Sequence, residues 1–61
     1  SAMFDKGDSV QLTISRGALK VTVDMLALES GRLDQQVDLL NPESNETVRA
    51  LVTGPGKARG L

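Results

Sequence analysis

Hydrophobic and polar positions alternate along most of this chain, and the alternation has a period of two. In Val10-Gln11-Leu12-Thr13-Ile14-Ser15 every second residue is apolar, the pattern of a half-buried strand. Lys6-Gly7-Asp8 precedes it as a turn. Ser15-Arg16-Gly17-Ala18 interrupts the run, and a glycine free to take positive φ there predicts a hairpin. Leu19, Val21, Val23 and Met25 then alternate with Lys20, Thr22 and Asp24 as the return strand. A helix is disfavoured because Val21, Thr22 and Val23 are all β-branched, and such side chains fit the pleat better than a helical turn.

From Met25 to Leu28 the alternation stops and both faces become apolar. Ser30-Gly31 turns the chain. Val37 and Leu39 alternate with Asp38 as a third strand, whose pattern Leu40 breaks. Asn41-Pro42-Glu43-Ser44-Asn45 is a turn, since Pro42 moves Asn41 away from helical dihedrals and Asn and Ser bond locally to the backbone. Val48, Ala50 and Val52 alternate with Thr47, Arg49 and Leu51 as a fourth strand, closed by Gly54-Pro55-Gly56. Close-spaced strands with glycine-bearing turns predict an all-β fold, a small clip or barrel. Lys57–Leu61 is expected to be a flexible tail. Ser1-Ala2-Met3 reads as a scar of tag cleavage outside the fold, leaving residues 4–56 as the domain.

The apolar surplus is the feature left without a partner. Leu26, Leu40 and Leu51 are out of phase with their strands, and Leu28 extends the run after Met25. Two readings stand: a two-sided core with curled strands, or a partner-binding patch made of Leu26, Leu28, Leu40 and Leu51.

Composition narrows the function. With 61 residues, a chain buries only about 60% of its unfolded surface, and its core supplies roughly 3–5 kcal/mol. There is no Cys to staple it and no His, so thiolate and imidazole metal sites and the usual nucleophile–base pairs are missing. Neither a catalytic residue nor a cofactor or metal ligand is expected. Glu29, Asp34 and Asp38 read as a solvated face. Asn41, Glu43 and Asn45 have the every-second spacing of a calcium loop, but Glu46 and Val52 stand where that loop needs Gly and Glu. Seven basic and eight acidic residues are scattered to a net charge of −1, so no basic surface for nucleic acid is marked. Phe4 is the sole aromatic, which removes base-stacking platforms. The longest apolar run, Met25–Leu28, is far too short to span a membrane.

An ordered set of short elements also resembles a known family. Gly7-Asp8-Ser9-Val10, then Gly17, Ala27-Leu28-Glu29-Ser30-Gly31, Asn41-Pro42-Glu43-Ser44 and Val52-Thr53-Gly54-Pro55-Gly56 are similar to the C-terminal part of the flagellar P-ring assembly chaperones. The resemblance covers Phe4 to Gly56. It departs from the family at Asp34-Gln35, where Gly-Asp is usual, and at Leu39-Leu40, where Val-Arg is. It implies a SAF-type β-clip domain of a periplasmic, non-enzymatic chaperone whose partner is the P-ring subunit. SAF-type domains also occur in Flp-type pilus assembly proteins and as covers appended to enzymes. Those two readings stay open as alternatives, because one fold hosts many functions.

Overall fold

The computed structural model of the chain describes residues 2–61. Five strands follow one another: β1 (Ser9–Arg16), β2 (Leu19–Ala27), β3 (Gln36–Asn41), β4 (Glu46–Gly54) and β5 (Lys57–Gly60). They close into a barrel in the order β1-β2-β3-β4-β5, so the expectation of a small all-β barrel is met. Neighbours in sequence pair antiparallel, and β5 returns to pair parallel with β1. Thr53 is the extra residue of an irregularity in the β4–β5 ladder, which bends β4 toward its closing turn.

The period-two pattern sorts the side chains as the alternation requires. Val10 and Leu12 of β1, Met25 and Ala27 of β2, Val37 and Leu39 of β3, and Ala50 and Val52 of β4 are buried together. Phe4 joins this core from outside the strands. It bridges to Gly31, whose N–H donates to the Phe4 carbonyl at 3.1 Å while Met3 N–H donates to the Gly31 carbonyl at 2.7 Å. A Cβ on Gly31 would stand 2.6 Å from Phe4 Cζ, so this glycine is required by the ring beside it.

Two expectations about the ends are corrected. Lys57–Gly60 is no flexible tail: Ala58 is buried, opposite Leu12 on β1 and Val52 on β4. The strand exists because two ladders wait for it, whatever its own propensity. Ser1-Ala2-Met3 was expected outside the fold. Met3 packs against the core and its carbonyl accepts from Gly56 N–H at 3.0 Å, whereas Ser1 lies outside the described residues.

One seam of the barrel is short. β2 pairs with β3 only at Leu26–Leu40 and Ala27–Leu39, although β2 runs from Leu19. Leu19 to Met25 therefore pair with β1 alone, and the β1–β2 hairpin extends past the barrel body. Nine extended residues span about 30 Å at roughly 3.3 Å each, which accounts for the long dimension of a molecule measuring 33 × 24 × 14 Å.

Candidate functional site

The hairpin is built by its turn. β1 and β2 are joined by Gly17-Ala18, with Arg16 opposite Leu19 and Gly17 at φ 58°, the position where a type II′ turn takes glycine. That register sets Ile14 against Val21 and Leu12 against Val23, so these residues share the barrel-facing side. Near the barrel the row is covered. Beyond it the cover thins toward the turn, and Leu19 is 66% exposed, Val21 45%, Val23 37% and Ile14, beside Gly60, 36%. These are inward-phase residues at the end of the hairpin, where the barrel's inside runs out.

The sequence-derived patch is divided by the structure. Leu26 and Leu40 are brought together as register partners, half-buried on the outer face. Leu28 follows β2 and is exposed. Leu51 lies elsewhere, half-buried on β4 between Gln36 and Arg59. Leu26 also lines a small hollow of about 180 Å³ with Ser9, Met25 and Pro42. Sequence reasoning missed the hairpin row, since its residues are in phase with the core. The available signal was a strand of nine residues facing one of six, and strand lengths are hard to fix without the partner.

A larger depression of about 530 Å³ lies on the opposite face of the hairpin, lined by Gln11, Thr13, Thr22, Lys20, Lys57 and Arg59 among others. Its walls are polar, so water occupies it at little cost. The apolar row is different: leaving it in water forgoes about 25 cal/mol for every Å², and exposed contiguous apolar area marks interaction sites. The carboxylates of Glu29, Asp34 and Asp38 do not converge on a reaction centre. Glu29 Oε2 accepts from Asp38 N–H at 3.5 Å, and Asp38 pairs with Arg49 at 3.3 Å on an exposed face. Asn41 Oδ1 accepts from Glu43 N–H at 3.0 Å and Asn45 takes φ 59°, so the Asn41–Asn45 oxygens serve the turn. What this chain offers chemically is an uncovered strand face, a free strand edge and a rigid barrel that holds both.

A family model described as "Chaperone for flagella basal body P-ring formation" matches residues 1–59. The chain belongs to that family. The fold is also that of the crystal structure of Salmonella FlgA in open form, with a TM-score of 0.86 and 17% sequence identity. That likeness covers 97% of this chain and 28% of the Salmonella chain. The chain thus spans under a third of that relative, and at such identity the comparison speaks for the fold alone. No curated protein sequence matches the chain.

Proposed function

We propose that this domain is the client-binding part of a periplasmic, non-enzymatic chaperone that holds the P-ring subunit until the ring assembles. The observation that carries the reading is the family match over residues 1–59. The uncovered row of Ile14, Leu19, Val21 and Val23 supplies the contact surface. Its residues stand on a two-stranded ribbon whose conformation is fixed by the ladder, so binding costs little ordering entropy. Leu26, Leu28 and Leu40 add a second, smaller contact on the outer face, and Leu51 a separate half-buried point on β4.

The experiment is suppression of P-ring subunit aggregation, followed by light scattering, with the wild-type chain and two variants. Leu19→Thr/Val21→Thr keeps strand propensity at Val21 through β-branching and removes apolar surface outside the core. It is expected to melt like wild type and to lose most of the protection. Leu28→Asp, at an exposed site, should change stability by no more than about 0.5 kcal/mol and retain most of the protection. Full protection by the double variant would remove the hairpin row from the client interface. The row would then be assigned to a further domain of a longer protein. Loss of protection only in Leu28→Asp would move the site to the Leu26–Leu40 face.

A further inference from the structure

The free edge of β2 has a second property, independent of its apolar face. Hydrogen-bonded and non-bonded pairs alternate along an antiparallel ladder. Ala27 N–H donates to the Asp8 carbonyl at 2.9 Å, and a two-residue turn makes Arg16–Leu19 a bonded pair. Both fix the same parity: the backbone groups of Leu19, Val21, Val23 and Met25 face β1. Those of Lys20, Thr22 and Asp24 therefore face away from it. Gln11 N–H, opposite Asp24, agrees with this parity, since it turns from β2 and donates to the Gly56 carbonyl at 2.9 Å. Leu26, next in the outward set, is taken by Leu40. Unpaired strand edges are templates for another strand.

The residues on this edge read Lys20-Val21-Thr22-Val23-Asp24. The stretch is symmetric about Thr22, except that its two ends carry opposite charges. Laid antiparallel against itself with Thr22 at the centre, it places Lys20 opposite Asp24 of the second copy, Val21 opposite Val23, and Thr22 opposite Thr22. Every pair is favourable: opposite charges, β-branched neighbours and a threonine pair. Neither charge is already satisfied. Across β1, Lys20 faces Ser15 and Asp24 faces Gln11, and the salt bridge found among the described residues is Arg49–Asp38.

We infer that two copies of this chain pair through their β2 edges, antiparallel and centred on Thr22, as a two-fold symmetric dimer. The outward backbone groups of Lys20, Thr22 and Asp24 meet their counterparts in the required phase, and an isologous contact of this kind closes at two copies. A lysine alone on an edge strand blocks pairing. The aspartate at the symmetric position converts the block into a register lock that admits this one strand. Lys20–Asp24 is a short ladder, so the dimer is concentration-dependent and in exchange with monomer.

Sedimentation velocity over a concentration series tests it. The wild-type mass rises with concentration from 6.5 kDa toward twice that value, less steeply at high salt. Thr22→Pro removes an N–H that the chain's own ladder does not use, and proline is tolerated on such an edge. It is expected to keep the circular dichroism of the wild type and stay monomeric. Lys20→Asp and Asp24→Lys each oppose like charges at two places and should also stay monomeric. The double exchange Lys20→Asp/Asp24→Lys restores complementarity and should dimerise like wild type. A wild type that remains monomeric at millimolar concentration overturns the proposal. So does a dimer that survives Thr22→Pro, or a double exchange that fails to rescue. Protection of the Thr22 amide only when P-ring subunit is added would overturn it as well and assign the edge to the client.

Discussion

Replacing Phe4 by alanine is expected to unfold the domain. Phe4 is the sole aromatic and is 5% exposed, and it closes the end of the core where no strand provides a wall. Phe→Ala in a core costs about 3–5 kcal/mol, as much as the whole stability of roughly 3–5 kcal/mol available to a chain of this size. Urea titration followed by circular dichroism should show no folded baseline for Phe4→Ala. Phe4→Leu, which keeps most of the volume, should retain a cooperative transition at a lower midpoint. Gly31→Ala probes the same contact from the other side, because its Cβ has no room beside the ring and the Val52 methyl. A Phe4→Ala variant within about 1 kcal/mol of wild type would show that the ring is not what closes the core.

Deleting residues 57–61 should be almost as damaging. β5 is a short strand, yet it completes ladders with β1 and β4 at once, and Ala58 fills the gap between Leu12 and Val52. Without it two strand edges open side by side over exposed core, an arrangement that favours aggregation. The truncated chain is expected to lose its cooperative melt and to scatter light at concentrations where wild type is clear. A truncated chain that melts like wild type would return these residues to the status of a tail.

The contrast between these two ends shows what a sequence of this kind discloses. β1, β2 and β4 were legible because a covered sheet face imposes a period of two, and Val10 to Ile14, Leu19 to Met25 and Val48 to Val52 carry it plainly. β5 was not legible. Lys-Ala-Arg-Gly has a single apolar residue and no propensity of its own, and it is a strand because β1 and β4 lie at the right spacing. The same limit hid the candidate site. Periodicity tells which face Ile14, Val21 and Val23 occupy, but not whether another layer reaches that far along the hairpin. That depends on β3 meeting β2 at only two residue pairs, a tertiary fact. The out-of-phase leucines left two readings open, a two-sided core or a partner-binding patch. Leu26 and Leu40 are half-buried register partners on the outer face, and Leu51 is too far along β4 to join them. The family was legible from five short elements whose order, rather than any one of them, was specific.

The central claim is that the client is held on the hairpin face outside the barrel. Amide hydrogen exchange of the chain with and without P-ring subunit tests it most directly, because it reads every backbone position at once. The account predicts slower exchange of the ladder amides of Ile14, Leu19, Val21 and Val23, with the outward Thr22 amide and the barrel amides of β3 and β4 unchanged. Protection appearing instead on β3 and β4, with the hairpin exchanging as in the free chain, would contradict it.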